Sequence, residues 1–418
     1  MIGDKINYYR RQRKMTQEDL AQGICSISYL SKVENNKMEP SEEILSLLLG
    51  RLDIDIPLEN KQTLRVLTEA IFHWYEVLRE QDMKAADNQY AELKLKVKTS
   101  TNIEIKLTFA VFEFRYFLLK QDIKQAQNLA EFLQQYQDDL PPKLAYYYHS
   151  FNSIYFYLQH NYQQALNFCN KAIDLGNLIA EKIEPEVYYQ AALIYSRLAK
   201  TPLAMSLAEK ALYLFTETGN IKKCISCQII IGVCLNRLEQ PEEARIKFTK
   251  ALHLARELNI ITAQAYLYHN IGILHSSLHN KSAAIDCFST SYDIKINHQI
   301  KSYLNTVYHL AQEFSSIQEN DRALEWIAKG LSNCEKLPTD RKDFLMLCIL
   351  KFQILGAVEQ LVHFIHNEAI PFFKKSKLWL QECECHEILG DYYSKVHHYK
   401  KSSYYFSESN RLRKMNTI

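Results

Sequence analysis

Two sets of side chains in this sequence have the types and spacing for recognition chemistry. The first lies in residues 16–41, TQEDLAQGICSISYLSKVENNKMEPS. Gln17, Ser26, Ile27, Ser28, Tyr29, Lys32, Asn35 and Lys37 gather hydroxyls, amides, an apolar contact and two cations in one short stretch. Such groups hydrogen-bond base edges, touch a thymine methyl and meet phosphates. The second set is spread along the chain: Arg115, Tyr157, Tyr189, Asn236, Asn270, Ile273 and Asn305. An Asn amide carries a donor and an acceptor, so it can pair with the C=O and N–H of an extended peptide. Arg115 can hold a carboxylate, and Ile273 with Leu193 can take apolar side chains. A solvated or helix-packing residue is the alternative at each Asn. No nucleophile elbow, phosphate-cradling loop or His-Glu-x-x-His pair occurs, so no catalytic residue is expected and the chain does not read as an enzyme.

The first set needs two short helices. Thr16 is placed to cap one, with Glu18 and Asp19 in its first turn. Leu20 and Ala21 form its inner face, Gly23 breaks it, and Ser26 caps the next. There Leu30 and Val33, spaced i, i+3, turn inward and leave Ile27, Ser28 and Lys32 outside. Asn35-Asn36 ends that helix, and Pro40-Ser41 starts another over Glu42 to Leu49. This is a helix-turn-helix, whose second helix fits the major groove of a double-stranded DNA operator. Lys5, Arg10, Arg11, Arg13 and Lys14 cluster nearby and are candidates for phosphates, or for a solvated helix face.

The second set needs a repeat. Ala86, Ala126, Ala165, Ala204, Ala244, Ala284 and Ala323 recur every 39 or 40 residues, and the count continues to His363 and Ser402. Twelve residues earlier stand Trp74, Phe114, Ser153, Ala192, Gly232, Gly272 and Ala311, with Gly390 near the end. Small residues let two antiparallel helices pack closely, so Gly272 is expected to face Ala284, with Phe288 filling the seam to the next unit. The pattern is like the tetratricopeptide repeat (TPR) with a longer period. About nine hairpins are expected, winding into a right-handed superhelix with a concave groove lined by each first helix. The eighth unit, near residues 340–378, is the least regular. The reading is all-α: a DNA-binding head over 1–57, a linker helix over 58–72 and a TPR peptide-binding and dimerisation domain over 73–418, with a break at Pro57. Pro141-Pro142 marks a loop between the second and third units. Tyr146, Tyr147 and Tyr148 in a row cannot share one helix face, so at least one is expected at the surface or in the groove.

Gross numbers narrow the class. A net charge of +2 over 418 residues excludes a basic nucleic-acid coat, so DNA binding rests on a small footprint that a homodimer doubles. Ten Cys lack metal-site spacing and read as reduced thiols, and no metal or cofactor is expected. No signal peptide and no run of eighteen apolar residues is found, which points to a cytoplasmic protein without a membrane partner.

The Gln17 opening, Leu20-Ala21, the run from Ile27 to Asn35 and Pro40-Ser41 resemble the Xre or phage-repressor type of helix-turn-helix over residues 3–56. That head on a TPR-like array resembles the RRNPP family of peptide-sensing regulators, in layout its NprR and PlcR branches. The resemblance implies a transcriptional regulator controlled by a short signalling peptide in the TPR groove, acting in quorum sensing. It also implies that groove Asn and Arg residues hold the peptide, here Asn236, Asn270, Asn305 and Arg115. Relatives of this architecture bind or dephosphorylate response-regulator proteins, which is the alternative reading. Gln62 or Gln81 could orient a water for that chemistry, though nothing singles one out.

Overall fold

The computed structural model describes residues 2–53, 61–100, 102–179, 183–334 and 341–416, and every regular element among them is helical. Pro57 and the expected break around it lie outside the described residues. The chain divides into two compact units, Met1–Tyr155 with Lys171–Glu181, and Phe156–Asn170 with Lys182–Ile418.

Four helices make the head in the first unit: α1 (Ile2–Gln12), α2 (Gln17–Ala21), α3 (Ile27–Glu34) and α4 (Glu42–Arg51). Their ends follow from local chemistry. The Thr16 hydroxyl accepts from the Asp19 N–H at 3.1 Å, and the Asp19 carboxylate accepts from the Thr16 N–H at 2.7 Å, a complete capping box. Ser26 caps α3 through the Tyr29 N–H at 3.1 Å, and Ser41 caps α4. Leu20, Ala21, Leu30, Val33, Leu48 and Leu52 form the core between them. A Cβ on Gly3 would lie 1.9 Å from the Val33 carbonyl oxygen, so α1 crosses the end of α3 only because residue 3 is glycine.

Nine hairpins follow among the described residues. The first two pair α5 (Lys61–Glu80) with α6 (Met83–Thr99), and α7 (Ile103–Lys120) with α8 (Ile123–Gln134). The third and fourth pair α9 (Pro142–Leu158) with α10 (Tyr162–Leu178), and α11 (Pro185–Arg197) with α12 (Thr201–Glu217). The fifth and sixth pair α13 (Ile221–Arg237) with α14 (Pro241–Glu257), and α15 (Ile261–Ser277) with α16 (Lys281–Asn297). The seventh pairs α17 (Tyr303–Ser316) with α18 (Asn320–Ser332). In the eighth, α19 (Arg341–Ile354) faces α20 (Val358–Phe364), a π-helical turn (Ile365–Ala369) and α21 (Ile370–Lys375). The ninth pairs α22 (Trp379–Lys395) with α23 (Tyr399–Asn416). Residues 61–80 form one helix, so the expected division at 72/73 falls inside α5, and residues 58–60 lie outside the described ones. The head shares its unit with the first two hairpins, a grouping not anticipated from the sequence.

The repeat has one register. Gln81, Gln121, His160, Ala199, Glu239, His279, Gln318 and His397 each adopt a left-handed φ near +60°, five residues before a buried small residue of the ladder. That conformation ends the first helix and lets the chain reverse. The glycines act differently from expectation. A Cβ on Gly232 would meet the Phe248 ring at 2.5 Å, and one on Gly272 the Phe288 ring at 2.7 Å. Gly272 is therefore a notch for Phe288 of its own hairpin, because an aromatic ring four residues past Ala284 needs the depth that the missing side chain provides. The eighth hairpin breaks the register. Its left-handed residue is Gly356, so buried Leu361 takes the ladder position, while His363 is exposed. The π turn absorbs the offset and brings buried Ser402 back into step. Tyr146, Tyr147 and Tyr148 are all buried, at 5%, 9% and 2% exposure, against expectation. Helix α9 is covered on more than one side, with Tyr147 against Tyr75, Phe112 and Phe151.

Candidate functional site

Helix α3 presents an open face. Ile27, Ser28, Lys32, Asn35 and Lys37 are exposed, and Tyr29 is half-buried. Gln17 and Ser26 are engaged in holding the motif together. The Ser26 hydroxyl is the α3 cap, and the Gln17 amide donates to Glu34 Oε2 at 2.7 Å. Asn36, expected to end the helix, turns the chain at φ +54° and donates from its amide to Asp4.

The cations of α1 face inward. Arg10 Nε donates to Glu34 Oε1 at 2.6 Å and its terminal nitrogen to Glu34 Oε2 at 2.8 Å, while Glu34 is 3% exposed. Arg11 donates to the Gln135 carbonyl and lies 5.4 Å over the Tyr136 ring. Arg13 pairs with Asp53 at 3.9 Å. Arg10 is therefore not available to phosphates, because buried Glu34 holds it, whereas the Arg11 side chain stays 31% exposed. The same helix seats the head on the repeats. The Tyr8 ring meets Phe132 at 6.3 Å and Tyr136 at 5.6 Å, and the Tyr136 hydroxyl donates to the Tyr8 carbonyl at 3.2 Å. Lys106 donates to the Tyr9 hydroxyl at 2.7 Å. Burial pushes the Tyr136 phenol up to about 12.

The expected peptide contacts fall in both units. In the first, Arg115 on α7 lies half-buried, 5.9 Å over the Phe151 ring. The others lie in the second unit, on the first helices of its hairpins, and are half-buried. Tyr157 accepts from Arg197 Nε at 3.3 Å. Burial raises the Tyr189 phenol well above its usual value. Asn236 Oδ1 accepts from the Ser277 hydroxyl at 3.2 Å, and the Asn270 amide donates to the Tyr266 carbonyl of its own helix at 2.7 Å. Ile273 packs on the core of the sixth to eighth hairpins. Asn305 approaches His269 Nε2 at 3.4 Å.

His269 belongs to a buried polar cluster that the sequence reading missed. Lys295, 1% exposed, donates to Thr306 Oγ1 at 2.8 Å and to the Ser302 carbonyl at 3.2 Å. Thr306 Oγ1 also lies 3.0 Å from His269 Nδ1. With the ammonium donating to the hydroxyl oxygen, the hydroxyl proton goes to Nδ1. The imidazole proton then sits on Nε2, and the Asn305 amide must turn its oxygen, not its nitrogen, toward it to accept. Burial holds His269 well below its usual value and His309 at about 4, so both rings are neutral near pH 7. Burial also lowers Lys295 to about 7. Glu313 is bridged by Lys281 at 3.0 Å and by the Ser276 hydroxyl. The missed residues Arg197 and Arg237 stand one and two periods after Tyr157, so following that column was the available signal.

With this geometry in view, the relatives are informative. A family model described as helix-turn-helix matches residues 6–58. The transcriptional activator NprA of Geobacillus stearothermophilus is 28% identical over 398 residues, covering 93% of this chain and 98% of NprA. A helix-turn-helix match together with a relative of this length agrees with the resemblance to the RRNPP family drawn from the sequence. The structure of NprR in complex with its cognate peptide NprX aligns at a TM-score of 0.68 with 20% identity, over 87% of this chain and 98% of that one. A Rap protein complexed with competence and sporulation factor aligns at 0.73 with 19% identity, over 84% and 99%. These two likenesses give the fold: a long TPR-like helical array carrying, in this chain, a helix-turn-helix head.

Proposed function

We propose that this chain is a sequence-specific DNA-binding transcriptional regulator whose action is controlled by a short signalling peptide. The observation that carries the reading is the open outer face of α3 in a chain similar from end to end to a transcriptional activator. Ile27, Ser28 and Lys32 read base edges, and Asn35 and Lys37 meet the backbone. A homodimer presents two such helices, so its half-sites lie one helical turn or a multiple apart. The peptide lies along the first helices of the repeats. There Asn236, Asn270 and Asn305 hold its main chain, Ile273 takes an apolar side chain, and Tyr157 and Tyr189 add polar contacts. The fold shared with the NprR–peptide complex supports this placement. Occupancy acts on DNA binding only through the difference in peptide affinity between two arrangements of the protein. Among the described residues no helix is long and apolar enough to cross a membrane, and we place the protein in the cytoplasm. We read it as a regulator, not an enzyme.

The test uses the full chain on an operator selected from random duplexes. Ser28→Ala with Lys32→Ala is expected to lower affinity about tenfold or more and to relax the selected sequence. Unchanged selectivity would remove α3 from the interface. The peptide half is tested by Asn270→Ala in calorimetry against a binding peptide, and an unaltered dissociation constant would remove that residue. Capture and dephosphorylation of a phosphorylated receiver domain, with operator binding indifferent to peptide, would instead establish the scaffold or phosphatase reading.

A further inference from the structure

One column of the repeat lies at the C-terminal ends of consecutive first helices: Tyr157 on α9, Arg197 on α11, Arg237 on α13 and Ser277 on α15. Arg197, Arg237 and Ser277 each reach back to the preceding hairpin. Arg197 Nε donates to the Tyr157 hydroxyl at 3.3 Å. An Arg237 terminal nitrogen donates to the Ser196 carbonyl at 2.8 Å and lies 3.2 Å from the Ser196 hydroxyl. Ser277 donates to Asn236 at 3.2 Å. Two guanidiniums on neighbouring repeats thus bond only neutral oxygens, and among the described residues neither is ion-paired with a carboxylate. Each offers five N–H donors, most of them unused.

Both arginines keep exposed surface. Arg197 is raised chiefly by the Tyr157 hydroxyl it meets. Burial, and with it the Arg197 charge, holds Arg237 below its usual value. Arg197 feels Tyr157 and Tyr162 from the third hairpin and Asp343 from the eighth. It also acts on His269 of the sixth, as do Lys295, His309 and Lys342. The carboxylates in this region are already bridged, Asp343 by Lys342 at 3.0 Å and Glu313 by Lys281 at 3.0 Å. Cations near a helix C-terminus are ordinarily stabilised by its dipole. That role explains the Ser196 carbonyl contact but leaves two adjacent like charges without an anion. Planar guanidiniums side by side match a carboxylate.

We propose that Arg197 and Arg237 form a carboxylate-binding subsite, so that the peptide this protein senses presents an acidic group to this pair. The group is an Asp or Glu side chain or the peptide's own C-terminus. The proposal rests on the peptide-groove reading above and adds the chemistry of the ligand to it.

The experiment offers the full chain four pools of short synthetic peptides: with or without Asp and Glu, each as free acid or C-terminal amide. Retained peptides are quantified by mass spectrometry. Pools bearing a carboxylate are expected to be retained about tenfold or more over the neutral amide pool. The amidated acidic pool against the free-acid neutral pool separates side chain from terminus. Arg197→Gln with Arg237→Gln is expected to abolish the preference, and the paired Lys replacements to restore part of it. Thermal melting and operator binding report whether each variant folds, and single replacements serve if the double variant does not. Equal retention of the neutral amide pool, or a preference that survives the Gln replacements, would overturn the subsite and leave the peptide groove standing. Retention of no pool would overturn the groove reading itself.

Discussion

Two buried ionic groups show what single side chains contribute, and both escaped the sequence. Arg10 and Glu34 form a forked pair with side chains 11% and 2% exposed. Nothing in their separation of 24 residues announces this pairing, which depends on α1 crossing α3 at Gly3. Removing one member leaves the other charged and dry, so Glu34→Ala is expected to destabilise the head by about 3–5 kcal/mol in chemical denaturation. Lys295 carries the opposite lesson. A lone Lys on the polar-looking helix α16 reads as solvated, yet α17 covers it with Thr306 and Ser302. Its native value near 7 against a usual 10.5 fixes the sign of its pH effect. Below about 7 both native and unfolded chains hold the proton, and the burial penalty is complete. Between about 7 and 10.5 only the unfolded chain binds the proton strongly, so this group makes stability rise with pH. The other titratable or charged groups around it include Asp343, His269, His309 and Tyr266, whose ring lies 5.3 Å from the ammonium. The stability of Lys295→Met relative to the wild type should therefore fall by a few kcal/mol between pH 7 and 10, measured by denaturant titration at each pH. A pH-independent difference would contradict the buried, depressed ammonium.

At the scale of the helical hairpin the sequence is most legible, because a fixed period exposes the positions where two helices cross. The Ala ladder, the N-caps and the helix starts could be read directly, since each depends on neighbours within a few residues. What stayed hidden was the partner of each small residue. The Gly-to-Phe notch joins positions sixteen apart on two helices, and only the packed hairpin shows that the ring, not the alanine, fills it. Gly272→Ala would place a methyl 2.7 Å from the Phe288 ring, so a loss of about 1–3 kcal/mol is expected. Combining it with Phe288→Leu should recover part of that loss, a coupling a double-mutant cycle measures. Gly50→Ala on exposed α4 meets nothing within 4 Å and should stabilise by about 0.5–1 kcal/mol. The eighth hairpin was legible only as irregular. Its two-residue slip to Leu361 is set by the early turn at Gly356, which the glycine itself signals, and is absorbed by a π turn, which has no local signature.

For the molecule as a whole, the division of labour was readable and the coupling was not. A helix-turn-helix head and a helical repeat array follow from motif and period alone. That α1 would be seated on α7 and α8 follows from neither, because Tyr8, Tyr9, Lys106 and Tyr136 lie up to 128 residues apart. Tyr136→Ala removes the ring beneath Arg11 and Tyr8 and the hydroxyl bonded to the Tyr8 carbonyl. It is expected to raise hydrogen exchange in α1 while leaving α22 and α23 unchanged. Equal exchange in α1 would show that the seat contributes nothing to holding the head.

The inward turn of the α1 arginines has a consequence for how this head searches DNA. Affinity built on many phosphate contacts falls steeply with salt, because added salt makes the release of DNA counterions less favourable, and each cation withheld from the duplex removes about one unit from that slope. With Arg10 paired to Glu34 and Arg11 held against Gln135 and Tyr136, a shallow dependence of operator affinity on ionic strength is expected. Non-specific DNA should then compete weakly, leaving discrimination between sequences to the few side chains that touch bases.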